Sequence, residues 1–403
     1  MSTSRSLQGV VATTIGKRAR SAGRVVTPVG WMLVVAGGVL LVFGHLMGWS
    51  EVTVLAVTLL AVFALSAPFA FGQTDLKVEL EIRPSSVTVG QRSAAQVTVS
   101  GQGGRTVRNV RMELRVGDAF AEFSVPVLRQ GGEHEEPFVL PTVRRGVIMV
   151  GPARSVRSDP LGILRRTQQW TDEYPLIVHP RLVKLAELGT GFVTDLEGIA
   201  TNFRSDSDVA FHTLRAYEPG DDPRHIHWLS TARVGALMVR QFIDTRRSHI
   251  GIAIDADADA YGTEDEFELA VSAAGSIGTR VFQDEQQVTA VFGPERLQTT
   301  HRTAFLDGLA GVESDSRSST LQGAIASLVR ASSGLSLAVV ITGRNTPLSD
   351  LRRAALRFPG GLPVIVLRVD GANPTAYQPL GSQFLLSLQS LDDLPHLFWS
   401  LAA

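Results

Sequence analysis

Residues 249–261 read HIGIAIDADADAY. The six residues His249 to Ile254 are apolar on both faces, the mark of a central strand in a parallel sheet. The run ends on Asp255, Asp257 and Asp259. Thr263 and Glu266 have the spacing of a capping box, so a helix starts there and runs through FELAVSAAGSIGTRVF. Strand VTAVF (Val288 to Phe292) follows, then helices around Phe305 and over Leu321 to Ala331. SLAVVIT (Ser336 to Thr342) reads as a second central strand. Helix LRRAALRF, strand LPVIVLRV and a helix near Asp392 to Leu401 complete the pattern. This alternation predicts an α/β doubly wound domain over 248–403. There is no GxxxxGK[ST], and no GxGxxG follows the first strand, so neither a P-loop nor a dinucleotide site is expected. Open sheets bind ligands at the carboxyl ends of their strands, which is where the three aspartates fall. Crowded carboxylates repel one another, and a hard divalent cation such as Mg2+ would relieve that. The alternative is that they splay into water and favour the positive end of the next helix.

Immediately upstream, Tyr217 to Phe242 reads YEPGDDPRHIHWLSTARVGALMVRQF. Tyr217, Arg224, His225, His227, Trp228, Arg233 and Arg240 stand among Glu218, Asp221 and Asp222. Pro219-Gly220 and Pro223 predict a rigid turn. Asp221, Asp222 and Arg224 have the makings of an ion-pair knot, and Arg233 of a bidentate clamp on a carboxylate. A rival reading makes His225 and His227 a metal or acid–base site, since residues two apart on extended chain point the same way. After Ser230 the chain turns apolar and extended, LMVRQF. Before Tyr217, Gly189, Gly191 and Gly198 break any periodicity, and SDSDVAFHTLRAY reads as a loop-rich entry. Residues 183–247 are therefore read as a connector that shapes a surface for a partner.

From Leu76 the pattern alternates every second residue. LKVELEI places Leu76, Val78, Leu80 and Ile82 on one face and charged residues on the other. AQVTVS, VRMELRV and FSVPVL follow, separated by turns, so 75–182 is expected to form an antiparallel β-sandwich. Glu133-His134-Glu135-Glu136 lacks the helical spacing of a zinc protease and reads as a solvated loop. Arg144, Arg145, Arg154, Arg157, Arg165 and Arg166 gather in one stretch. Either they line a solvated face paired with acids elsewhere, or they meet anionic headgroups.

Residues 1–28 carry Arg5, Lys17, Arg18, Arg20 and Arg24 and no acid. Two uncharged runs follow, Val29 to Trp49 and Val52 to Phe71. Each reaches the roughly 20 residues that cross a hydrocarbon core. Trp31 and Trp49 lie near the ends of the first, where interfacial aromatics belong. A transmembrane hairpin over 29–72 is expected. The basic N-terminus should stay in the cytoplasm, and two crossings return the bulk of the chain to that side. A multi-pass cell-membrane protein follows. The net charge of −1 argues against nucleic acid as a partner. Without cysteine, disulfides and thiolate metal sites are excluded.

The string from Tyr217 to Phe242, together with RRGVIMVGPARSVRSDPLGILRR (Arg144 to Arg166) and the apolar hairpin, resembles a bacterial family of unknown biochemical activity. Its members are membrane-anchored, carry a von Willebrand factor A-like domain, and are usually encoded beside MoxR-type AAA+ ATPases. The resemblance marks Arg224 and Trp228 as family-defining, whereas an acidic or amide residue is common where His227 stands. It also implies a metal-ion-dependent adhesion site, an aspartate followed by two serines. Here Asp255 stands first, with Asp257 and Asp259 at the serine positions. The loop threonine would be Ser319 or Thr320, and the last acidic ligand is replaced by Gly343. The function implied is a non-enzymatic adaptor or scaffold binding a MoxR-type ATPase and other membrane proteins of the same gene neighbourhood, in assembly or maturation of envelope or other complexes. Two alternatives stand beside it: a metal-dependent hydrolase using Asp255, Asp257, Asp259, His225 and His227, and a plain envelope scaffold.

Overall fold

The computed structural model describes residues 25–70, 76–101, 110–129, 131–186, 209–218, 223, 226–244, 248–315, 321–332, 334–380 and 383–402. These divide into two compact units. The first runs to residue 178 apart from 144–146, and the second comprises 144–146 and residues from 179 onward.

The first unit opens with two helices, α1 (Pro28–Met47) and α2 (Ser50–Ala70). Thr27 caps α1 through its side chain, Pro28 takes the first turn, and Gly48 ends the helix in the left-handed conformation. Both helices are long and apolar enough to cross a membrane, and only 17% and 11% of their apolar windows are buried. Core helices would be mostly covered. Here Met32, Val35, Val39, Val42 and Leu46 of α1 point outward instead. The buried positions of α1 are Gly30, Gly37 and Gly44, seven residues apart. A Cβ on Gly37 would press on Leu60 at 2.9 Å, and one on Gly44 on the Thr53 hydroxyl at 2.7 Å. Small residues thus let the two helices approach closely, as in lipid-embedded helix pairs.

Among the described residues nine strands follow: β1 (Leu76–Arg83), β2 (Ser86–Thr88), β3 (Ala94–Gly101), β4 (Val110–Val116), β5 (Ala119–Val125), β6 (Glu133–Val139), β7 (Gly146–Ser158), β8 (Arg165–Gln169) and β9 (Tyr174–His179). They make two sheets, β1-β3-β6 and β2-β9-β7-β4-β5, with β8 on β7. Val78, Val97, Val99, Met112, Leu114, Leu176 and Val178 fill the space between them. The alternation read in the sequence is the inward and outward alternation of these strands. One expectation is corrected. Glu133 to Glu136 is not a loop but the start of β6, paired with β3 at the edge of the smaller sheet. Charged side chains suit an edge strand, because they discourage pairing with another chain.

The corner between β7 and β8 is pinned to the start of α1. Thr27 donates its backbone N–H to the Ile163 carbonyl at 3.0 Å, and Arg165 donates its own to the Val25 carbonyl at 2.7 Å. Ile163 and Leu164 are buried against Leu33, Val62, Phe63 and Ala67 of the two helices.

The second unit contains a two-stranded antiparallel sheet, β10 (Val209–Ala216) with β11 (Met238–Asp244), and between them the short helix α3 (Trp228–Val234). Its main body is built from β12 (His249–Ile254), α4 (Glu264–Gln283), β13 (Gln287–Phe292), β14 (Glu295–Arg296), α5 (Arg302–Ala310), α6 (Leu321–Ala331), β15 (Leu337–Gly343), α7 (Leu348–Ala355), β16 (Val364–Val369), β17 (Ala376–Leu380), β18 (Gln383–Leu388) and α8 (Leu394–Ala402). The strand order is β14-β13-β12-β15-β16-β18-β17. The five inner strands are parallel, and β14 and β17 join antiparallel at the edges. Ile250, Ile252 and Ile254 pack on one face under α4, α5 and α8. Ala253, Ala338, Val340, Val366 and Leu385 pack on the other under α6 and α7. A strand apolar on both faces needs both layers, so the doubly wound architecture follows from HIGIAI itself.

Residues 144–146 belong to this unit through Arg145. Its side chain is only 4% exposed and lies 2.7 Å from Glu268. It also donates to the Leu309 and Val312 carbonyls at the end of α5 and sits over the Phe267 ring.

Candidate functional site

The chain leaves β12 toward β13 on one side and later returns as β15 on the other. The gap between β12 and β15 is therefore the switch point where such sheets bind ligands. Asp255 lies there, 2% exposed. One carboxylate oxygen accepts from the Asp257 N–H at 3.2 Å, and the other from the Thr342 hydroxyl at 2.8 Å. Thr342 in turn meets Thr346 at 2.7 Å. The Tyr261 hydroxyl donates to the Asp255 backbone carbonyl at 2.7 Å. Burial pushes the Asp255 carboxyl up to about 6, against the pull of the Thr342 and Asp257 hydrogen bonds, and the Asp257 charge adds to the rise. Burial likewise raises the Tyr261 phenol, helped by the charges of Asp255 and Asp257.

The other two aspartates have different tasks. Asp257 caps a single turn of 3-10 helix by accepting from the Asp259 N–H at 3.0 Å. Asp259 is exposed, and its carbonyl accepts from the Asn345 amide at 3.1 Å. Among the described residues no three His, Cys, Asp or Glu side chains gather as a metal-holding group. The structure thus does not bring Asp255, Asp257 and Asp259 together as ligands. Ser319 and Thr320 lie outside the described residues. At Gly343 the reason for glycine is steric. A Cβ there would collide with the Ala260 carbonyl oxygen, because the loop after β12 folds directly onto the end of β15. The acidic ligand that the resemblance leads one to seek has no room at this position.

Glu266 closes the rest of this crest. Thr263 caps α4 as expected, accepting from the Glu266 N–H at 3.2 Å. The Glu266 carboxylate departs from the simple capping box. It accepts from the Gly262 N–H at 2.7 Å and from the Gly371 N–H at 3.0 Å, with Arg344 3.5 Å away. It therefore ties together the loops after β12, β15 and β16. Asn345 adds a bond to the Tyr261 carbonyl at 3.0 Å. Asp370 accepts from the Ala372 and Asn373 N–H groups and from the Asn373 amide. Against the upward push of burial, these bonds hold its carboxyl below the ordinary range. Sequence reading did not single out Thr342, Thr346, Asn345 or Asp370. A lone threonine at the end of the apolar strand SLAVVIT was the available signal.

The Tyr217 to Phe242 stretch is organised differently. Gly220, Asp221, Asp222, Arg224 and His225 lie outside the described residues, so the ion-pair knot and the paired imidazoles do too. Around them, the segment read as a loop-rich entry contains strand β10, and the turn before LMVRQF contains α3. Tyr217 donates its backbone N–H to Leu237 at 2.8 Å, closing the β10–β11 hairpin. His227 caps α3: its Nδ1 accepts from the Ser230 N–H at 3.2 Å and lies 2.7 Å from the Ser230 hydroxyl. Thr231 accepts from the Met238 N–H at 3.0 Å, fixing the helix to β11. Ile226 and Val239 pair in an isolated antiparallel bridge and are buried. Yet α3 buries none of its own residues. Trp228 and Leu229 are each 67% exposed, Val234 is 63% exposed, and Arg233 is exposed beside them.

This hairpin and most of the α/β body carry the family match. Residues 213–376 match the family described as "Protein of unknown function DUF58". The DUF58 region begins inside β10 and ends at the first residue of β17, so it takes in α3, the aspartate loop and Glu266. No curated protein matches the chain. Similar solved structures include the CARDB domain of a Pyrococcus furiosus protein in complex with di-metal ions, 18% identical over 27% of this chain and 96% of that one, with a TM-score of 0.21. The ApaA protein from Bordetella pertussis is 18% identical over 26% of this chain and 94% of that one, with a TM-score of 0.19. The alkylpurine DNA glycosylase AlkC of Pseudomonas fluorescens, bound to DNA containing an abasic site analog, is 13% identical over 34% of this chain and 42% of that one, with a TM-score of 0.20.

Proposed function

We propose that the chain is a membrane-anchored adaptor whose DUF58 region docks a protein partner, and that the partner is a MoxR-type AAA+ ATPase. The observation that carries the docking is α3. Trp228, Leu229 and Val234 stand in water on a helix held rigidly by His227, Thr231 and Gly235. A preorganised, exposed tryptophan flanked by aliphatic side chains and an arginine has the composition of an interface hot spot. The identity of the partner rests on the resemblance carried by Tyr217 to Phe242. The von Willebrand A reading is supported by the sheet, in which an antiparallel edge strand follows two parallel ones and the rest extend from the other side of β12.

The anchor in this reading is the α1–α2 hairpin, crossing the cell membrane twice with the basic N-terminus, the strands of the first unit and the whole second unit in the cytoplasm. Its outward-facing apolar surface supports that placement. Protease added to sealed inside-out vesicles should then digest the DUF58 region, and protection would reverse the orientation. The metal-dependent hydrolase has less support. The carboxylate at the switch point is hydrogen-bonded on both oxygens, and His227 caps a helix.

Docking is tested by solubilising membranes and recovering the tagged full chain. A co-purifying ATPase with a P-loop should be present with the parent and absent with Trp228→Ala/Leu229→Ser. An unchanged ATPase yield from that variant would overturn the assignment to α3. No ATPase with either would overturn the partner.

A further inference from the structure

Five of the six arginines of the Arg144 to Arg166 stretch separate into two kinds; the sixth, Arg154, stands opposite Glu113 across β7 and β4. Arg144 pairs with Glu264 at 3.3 Å, Arg145 with Glu268 at 2.7 Å, and Arg165 with Glu113 at 2.6 Å. Arg157 and Arg166 do not follow this pattern. They stand directly opposite one another across β7 and β8, both half-buried, and no carboxylate pairs with either among the described residues. Like charges facing each other across an antiparallel pair oppose folding. The nearest acid along the chain, Asp159, is 3% exposed and accepts from the Leu161 and Leu164 N–H groups at 3.0 and 2.6 Å, so it shapes the turn instead.

The position of the pair is as informative as its charge. Arg165, next to Arg166 and opposite Ser158, hydrogen-bonds to Val25, two residues before the Thr27 cap of α1. Thr27 donates its hydroxyl to the Gly162 and Ile163 carbonyls at 2.8 and 2.9 Å. If α1 begins at the membrane surface, as the proposed anchor requires, this corner lies at the headgroup level. At the same turn Leu161 is 64% exposed, an apolar side chain suited to the acyl boundary.

We propose that Arg157 and Arg166 form a binding site for the phosphate of an anionic phospholipid, which rests on the membrane-anchor reading above. A phosphodiester between two guanidinium groups accepts paired hydrogen bonds and removes their mutual repulsion. The lowered Arg157 guanidinium, depressed by burial first and by the Arg166 charge second, is what a missing counter-charge produces. Leu161 would hold the turn against the acyl chains while the arginines hold the headgroup.

The test uses the full chain in nanodiscs of phosphatidylcholine alone or with phosphatidylglycerol. Hydrogen exchange over 159–169 should slow when phosphatidylglycerol is present. Arg157→Gln/Arg166→Gln should lose that slowing, with about a tenfold loss of preference for the anionic lipid. Arg92→Gln, at an exposed arginine of the same module, should keep it. In neutral detergent, Arg166→Gln alone should melt higher than the parent, since it removes the repulsion without a lipid to replace it. Equal exchange in the two discs, or slowing that survives in the double variant, overturns the proposal. So does inorganic phosphate reproducing the effect in phosphatidylcholine discs, which would mark a free-anion site. Failure of the parent to enter either disc would instead overturn the anchor reading, and this site with it.

Discussion

The crest of the α/β sheet and the helix α3 lie in the same DUF58 region and are built on opposite principles. At the crest, polar groups are abundant but answered: Asp255 by Thr342 and Asp257, Glu266 by Gly262 and Gly371, Asp370 by Ala372 and Asn373. On α3, the large apolar side chains have no cover. Catalysis needs polar groups held ready for a substrate, and the crest's are already in use by its own loops. Recognition of a protein needs apolar surface held rigid in water, which α3 supplies. The docking through α3 proposed above rests on this difference, with the crest as the body that carries the helix.

The largest expected effect comes from forcing the crest toward a ligand set. Gly343→Asp supplies the acidic side chain that the adhesion-site pattern lacks, but its Cβ meets the Ala260 carbonyl. We expect a loss of about 4 kcal/mol or more, since backbone must move. Chemical denaturation checks this, and a stable Gly343→Asp protein would show that the crest can open. Glu266→Ala comes next. It leaves the Gly262 and Gly371 N–H groups without their acceptor and Arg344 without its carboxylate. A cost of about 3 kcal/mol is expected. Glu266→Gln should recover part of it, because an amide oxygen still accepts one of the bonds.

A third effect depends on pH. The Asp255 carboxyl sits at about 6 when folded, above its ordinary 3.8. The folded state then binds the proton more tightly than the unfolded state between those values. Stability from this group is therefore greatest below about pH 4 and falls as pH rises through 6. The displacement corresponds to roughly 3 kcal/mol. Asp255→Asn removes the titration, and its poorer fit to Thr342 should leave a net gain of about 2 kcal/mol at pH 7. The variant and parent melting curves should converge as pH drops from 6 to 4. If the gap instead stays constant, Asp255 is not the titrating group. If Mg2+ closes the gap by stabilising only the parent, a cation does bind at the switch point.

Much of this organisation was legible in the residues. HIGIAI could only be buried on both faces, and the helix layers on each side of β12 follow. The period-2 runs from Leu76 became strands in the positions read. Other parts were hidden for physical reasons. VAFHTLRA (Val209 to Ala216) puts apolar residues on both sides of the strand without clean alternation, so β10 reads as a loop. Seven residues are too few for a helical period, and α3 is capped by a histidine, not by the usual Ser, Thr, Asp or Asn. Glu133 to Glu136 reads as solvated because it is charged, although an edge strand can be both. The closed aspartate loop was out of reach from sequence. Whether three acids at alternate positions converge or separate is decided by Thr342, Asn345 and Gly343, some eighty residues later in the chain.

The smallest expected effect on folding is also the most informative about α3. Trp228 touches no core and is 67% exposed, so Trp228→Ala should change stability by no more than about 0.5 kcal/mol. Its indole should be quenched readily by acrylamide in the isolated protein and protected once a partner is bound. The control is Ile226→Ala, at a buried residue bridged to Val239 of β11, which should destabilise the hairpin and weaken any docking indirectly. A variant that folds like the parent but cannot hold its partner separates contact from support. Trp228→Ala should behave in that way and Ile226→Ala should not. If instead Trp228→Ala melts several degrees lower, the indole is covered in the native protein, and the contrast between a closed crest and an open helix no longer stands.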